Sequence, residues 1–239
     1  MSYLFQTIFY KPIFNLLVFI YNIIPGHDLG LAIIFITVIV KVILLPLSKQ
    51  SIKSQKALQD LQPKIDELKN KYADNKEALG RAMIDLYKEN KVNPLSSCLP
   101  LLIQLPFLIA VFKVFSDGIN NNGSLNFVYS FINKPEVINS ISMGFIDLAK
   151  PNIVLAILAG AAQFWQAKMM SINKPDVKNA GAQDENMMAI MNKQMFYIMP
   201  ALTVFIGISL PGGLSLYWLV LTVLTAVQQL YVFKKQSQS

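Results

Sequence analysis

Apolar residues run almost unbroken from Leu31 to Ser48, LAIIFITVIVKVILLPLS, and the one charge among them is Lys41. A run of that length predicts a membrane-crossing helix. The same pattern recurs down the chain. It predicts five spans, at 29–47, 94–116, 152–170, 194–210 and, with a Pro211-Gly212-Gly213 turn before it, 211–233. Pro100 and Pro106 kink the second of them, which neighbouring helices tolerate. Residues 3–24 are also apolar and aromatic, but Gln6, Lys11, Asn15 and Asn22 interrupt them and Pro12 sits mid-way. Length alone would let this segment cross. The interruptions predict instead a helix lying in the membrane interface, ending in a turn at His27, so that 1–28 form one extracytoplasmic unit.

Residues 48–93 change period and polarity. Leu58, Leu61, Ile65 and Leu68 repeat at helical spacing, as do Leu79, Met83 and Leu86 with Tyr87. Ala73, Asp74 and Asn75 break the two runs, and an antiparallel helical hairpin is expected. The fold class is therefore an all-α integral membrane protein: five transmembrane helices, an N-terminal interfacial helix and a helical hairpin.

Charge orients it. The hairpin carries ten Lys/Arg against seven Asp/Glu, and the loop at 171–193 and the tail at 234–239 are also basic. The loop at 117–151 holds two lysines, Lys134 and Lys150. Basic loops stay in the cytoplasm. All loops agree on an N-terminus outside and a C-terminus inside. The whole chain is 54% hydrophobic and 15% charged with a net charge of +7, where soluble domains carry about 25% charged residues. The N-terminus lacks a basic n-region and a cleavage site, so the chain reads as mature. Cys98 stands alone, which excludes an intrachain disulfide, and Cys98 and His27 make no metal cluster.

Polar residues within the spans form narrow stripes. Thr37, Lys41 and Ser48 share a face of the first span, and Ser215, Thr222 and Gln229 share one on the last, with Trp218 and Thr225 beside it. Ser97 and Gln104 align on the second span, Gln163 and Gln166 on the third. Such stripes avoid lipid. One reading is that they hydrogen-bond helices together. The other is that they converge on a wet cavity around Lys41, which has no carboxylate partner in any span. Lys41 could also snorkel to the surface. Met187, Met191, Met195 and Met199 make a ladder into the fourth span, suited either to core filling or to varied apolar partners.

Missing chemistry narrows the function. Intramembrane proteolysis needs paired carboxylates or an activated serine, proton-coupled transport uses membrane carboxylates or histidines, and nucleotide-driven pumping needs a phosphate-cradling glycine loop. None is present, which points to a protein that is not an enzyme and holds no cofactor.

Four stretches, GLAIIFITVIVKVILLPLS, NPLSSCLPLLIQLPFLIAVF, GFIDLAKPN and PGGLSLYWLVLTVLTAVQQL, spaced in this order around a charged hairpin, resemble the YidC family of membrane protein insertases. The resemblance covers nearly the whole chain. It implies a hydrophilic groove open to the cytoplasm and to lipid, holding a cation that is usually arginine. Lys41 takes that place, keeping the charge and losing the guanidinium fork. The chain carries neither the large extracytoplasmic domain nor the long basic tail of some members. On this resemblance the groove comprises Lys41, Thr37, Gln104, Gln163, Gln166, Ser215, Trp218 and Thr222. Phe107, Phe112, Met195 and Met199 form an apolar slide for the substrate helix. Expected partners are nascent membrane proteins, the ribosome, the Sec translocon, the signal recognition particle pathway and membrane lipids, with no specific nucleic-acid sequence. The implied location is the bacterial inner (plasma) membrane. A small channel or transporter for a polar solute is the competing expectation.

Overall fold

The computed structural model describes residues 3–73, 75–93, 99–118, 124–170 and 194–236. It is mostly helical. Helix α1, Tyr3–Ile23, is followed by α2, Leu29–Ile43, and α3, Leu45–Lys71. Then come α4, Lys76–Glu89, and α5, Leu99–Lys113. A two-stranded hairpin, β1 Ile141–Ser142 and β2 Ile146–Asp147, precedes α6, Ile153–Met170. A π-helical turn, Gln194–Ile198, leads into α7, Met199–Gly207, and α8 closes the chain at Gly212–Gln236. Cys98, the basic loop at 171–193 and the methionines of the ladder before 194 lie outside the described residues.

Among the described residues two helices are long and apolar enough to cross a membrane, Tyr3–Ile23 and Gly212–Lys234. The bent pair α2 and α3 makes a third if counted as one span. Shorter apolar helices stand at Gln104–Ser116, Ile153–Met169 and Phe196–Gly207. The first predicted span is shorter than its apolar run. It stops at Ile43, and the chain turns by 69° before α3 begins. The cause is Pro46. It sits in the first turn of α3, where its missing N–H is no loss, and it could not sit inside α2 without breaking a bond there. The hairpin therefore starts three residues earlier than its polarity suggests. Its second helix is capped by Asn75, whose side chain accepts from the Ala78 amide at 3.0 Å.

Pro12 does not break α1. A π-helical turn at Gln6–Tyr10 precedes it and widens the coil where the ring needs room. Asn15 and Asn22, two of the polar residues that interrupt α1, bond to the 124–142 segment, as does Tyr21. Asn15 donates to the Phe127 carbonyl at 2.9 Å and accepts from the Tyr129 amide at 2.6 Å. Asn22 donates to the Asn133 carbonyl at 2.7 Å, and the Tyr21 hydroxyl accepts from the Asn139 amide at 2.9 Å.

The core is one cluster. Phe14, Leu17 and Val18 of α1 meet Leu29, Ile33 and Ile36 of α2, with Val111 of α5, Val114 and Phe115 just after it, and Leu214 and Tyr217 of α8. Several other apolar side chains face outward: Phe35 and Val42 on α2, Val154 and Ile157 on α6, Val227 and Leu230 on α8. Lipid is as apolar as these chains, so burial alone does not join such helices; close backbone approach does. A Cβ on Gly207 would stand 2.8 Å from that of Ala156, and one on Gly160 would run into Val204, which is why α6 and α7 lie so near each other.

Candidate functional site

A cavity of about 360 Å³ opens among α2, α3, α5, α6, α7 and α8. Lys41, in the last turn of α2, lines it with Gln104 of α5, Gln163 and Gln166 of α6, and Trp218 and Thr222 of α8. Thr225 and Gln229 extend the α8 stripe along the same wall, and Met199 contributes from α7. Helical spacing thus brings six residues of the expected groove together. Lys41 is the charge on this lining, and no carboxylate shares it among the described residues.

The Lys41 Nζ donates to Thr225 Oγ1 at 2.8 Å, and Thr225 Oγ1 donates to the Leu221 carbonyl at 2.7 Å. That second bond commits the threonine proton elsewhere and leaves its lone pairs facing the ammonium. Gln104 Nε2 donates to the Tyr217 hydroxyl at 2.5 Å, and Gln163 is held by the Thr203 hydroxyl. One end of each amide is thereby anchored. Next to this cavity, Ser48 and Gln228 exchange hydrogen bonds of 3.2 and 2.8 Å between α3 and α8.

Thr37 and Ser215 belong to the same stripes but not to the cavity. Thr37 is fully buried and donates to the Ile33 carbonyl at 2.6 Å. Ser215 donates to the Gly207 carbonyl at 3.3 Å, where α7 and α8 meet. Each serves its own backbone or a neighbouring helix. Of the expected slide, Met199 lines the cavity. Phe107 and Phe112 are partly buried against the core, Phe107 edge-on to Phe9 at 5.5 Å. The side chain of Met195 lies outside the described ones. Among the described side chains of α5, Leu105 and Ile109 are the exposed large apolar ones.

Sequence reasoning missed the contribution of α3. Ile52 and Gln55 line the cavity with Ser48. The signal was there: the three stand four and three residues apart, one face of a helix that begins before its polar stretch. Tyr217 was missed as well. It belongs to a span 113 residues from Gln104, and no local pattern reports that meeting.

A model of the 60Kd inner membrane protein family matches residues 19–239. The chain belongs to this family. Among its relatives, a protein of Fusobacterium nucleatum named "Membrane protein insertase YidC" is 36% identical over 208 residues, 87% of each chain. Proteins of the same name from Geotalea daltonii and Geobacter sulfurreducens are 35% and 37% identical over 224 residues. This chain spans 37% and 36% of their length, so it corresponds to about a third of those longer family members.

Proposed function

We propose that this chain inserts membrane proteins, and assists their folding, without covalent chemistry or a cofactor. Family membership supports insertion, and the polar cavity around Lys41 amid apolar helices supports the way it is done. In this reading five helices cross the membrane, the N-terminus is outside, and the cavity is a hydrophilic groove reached from the cytoplasm. The basic hairpin α3–α4 receives the nascent chain, from a ribosome or signal recognition particle, alone or beside a Sec translocon.

The work of the groove is to shorten the apolar barrier. A translocated segment carrying Asp or Glu meets Lys41, whose ammonium is held against Thr225, and the Gln104, Gln163 and Gln166 amides offer hydrogen bonds along the way. The substrate's apolar helix then leaves into lipid past Met199 and the face of α5 that bears Phe107 and Phe112. Its transfer supplies the driving force, at about 0.8 kcal/mol per buried CH₂. The protein itself needs no nucleotide.

Reconstitution decides the matter. Purified protein in liposomes should insert a short single-span substrate into protease-protected form. Flux of a polar solute with no insertion would overturn the proposal in favour of a channel.

A further inference from the structure

The β1–β2 hairpin turns through Met143 and Gly144, both at left-handed φ, 52° and 82°. Side chains alternate across its strands. Ser142 faces inward, 3% exposed, and donates to Asp28 at 2.6 Å. Ile141, Met143 and Phe145 face the other way, 47%, 60% and 78% exposed. A turn in water is built from Gly, Asn, Asp and Ser. This one instead presents three large apolar side chains together.

Its height relative to the membrane is set by α8. Gly212–Lys234 has 23 residues, about 34 Å of helix against a hydrocarbon core of about 30 Å. Gly212 therefore stands at one boundary of the core. The amides of Gly212 and Gly213 donate to the carbonyls of Lys150 and Leu148 at 2.9 and 3.0 Å, and the Leu148 amide donates to the Ser140 carbonyl at 2.9 Å. The base of the hairpin is thus bonded to the helix end at that boundary. The turn lies about three residues further on, within roughly 10 Å at strand rise. The headgroup layer takes about 5–7 Å on each side, within the reach of the turn.

We propose that Ile141, Met143 and Phe145 seat the hairpin in lipid, at the headgroup boundary on the side where α8 begins. The outward apolar face of α6 starts next to the base of the hairpin, at Ile153 and Val154, 63% and 61% exposed. Lys150 flanks it with a largely exposed side chain, paired to Asp147 at 3.1 Å, where lipid phosphates would lie. Apolar tips flanked by lysine are membrane-interface chemistry. The inference needs α8 to cross the membrane and does not depend on insertase activity.

The test uses the full chain in lipid nanodiscs, which leave both faces open to solvent. In a Cys98→Ser background, Phe145→Cys and, separately, Ile141→Cys carry an environment-sensitive fluorophore. Glu136→Cys, on an exposed part of the same segment, is the aqueous control. Both tip positions should emit to the blue of the control, be quenched by lipids brominated high on the acyl chain, and resist aqueous iodide. Quenching by iodide equal to that at position 136 overturns the proposal. So does resistance to both quenchers, which would mean that another protein chain covers the tip.

Discussion

Lys41 reaches Thr225 across 2.8 Å because both lie on stripes that helical spacing aims at one cavity. In the proposed function its charge meets a substrate carboxylate. Lys41→Ala should lower insertion of substrates with acidic translocated segments by about fivefold, the equivalent of ~1 kcal/mol for one solvated ion pair, and leave neutral substrates unchanged. Lys41→Arg should restore it. Protease protection of matched acidic and neutral substrates reads both outcomes, and equal activity of Lys41→Ala on the acidic one would sink the electrostatic role. Thr225→Val removes the acceptor and keeps the shape, so it tests whether the ammonium must be held: crosslinking from position 41 to an acidic substrate should spread over more substrate positions. At this scale spacing showed the stripes that carry Lys41, Gln104, Gln163, Gln166, Trp218 and Thr222, while the choice of a cavity over helix-to-helix hydrogen bonds came from the family resemblance. Thr37 and Ser215 could not be separated from them. A stripe reports which way a residue faces, but not whether a backbone carbonyl already takes its hydroxyl.

Among the elements, the start of α2 is the most tightly tied. Asp28 caps it, accepting from the Leu31 amide at 3.0 Å, while Ser142 and the Met143 amide each donate at 2.6 Å. Burial alone would raise the Asp28 pKa. The donors Met143, Ser142, Leu31 and Gly30 outweigh it and hold the carboxyl below its ordinary 3.8. A carboxyl lowered on folding stabilises fully above its unfolded pKa, and that stability is lost as pH falls through the folded value. Asp28→Asn should therefore lower the melting temperature at neutral pH. Its gap to the parent should close only below about pH 4, the ordinary carboxylate range; a gap independent of pH would show that the charge plays no part. Gly30→Ala belongs to the same junction. A Cβ there would overlap the Ser142 side chain, so the hairpin must shift, at a cost of about 1–3 kcal/mol. Thermal unfolding in detergent measures it. The apolar helices, the two polar helices α3 and α4 and the break before Asn75 were legible as elements because their periods and polarity differ. The stop at Ile43 was not, since Val42 through Leu47 remain apolar on both sides of the bend and only Pro46 marks it.

Across the whole molecule the two ends are joined differently. Near Asp28 and Gly212 the ties include backbone bonds from the 140–150 segment to α8. At the other end, α3 meets α8 through the side chains of Ser48 and Gln228. In the proposed function the second junction yields to an entering chain. A short bismaleimide joining Ser48→Cys to Gln228→Cys, in a Cys98→Ser background, should block insertion, while each single variant treated alike stays active. Full activity of the crosslinked protein would place the entry elsewhere. No sequence pattern announces this difference, because both junctions are made between residues far apart in the chain.

The bend at Leu44 gives α3 a mechanical advantage. The helix continues through Pro63 to Lys71, about 40 Å from its start at 1.5 Å per residue. Ser48 lies one turn, about 5 Å, from that start. If α3 swings as a rod about the bend, the gearing between its two ends is roughly seven- to eightfold. A cargo or ribosome displacing the far tip by some 7 Å would move the cavity wall at Ser48 by only about 1 Å, and with correspondingly greater force. Small, forceful adjustments suit a chamber wall held by a few side-chain hydrogen bonds. On this geometry the charged arm is the handle and the polar chamber is its fulcrum end.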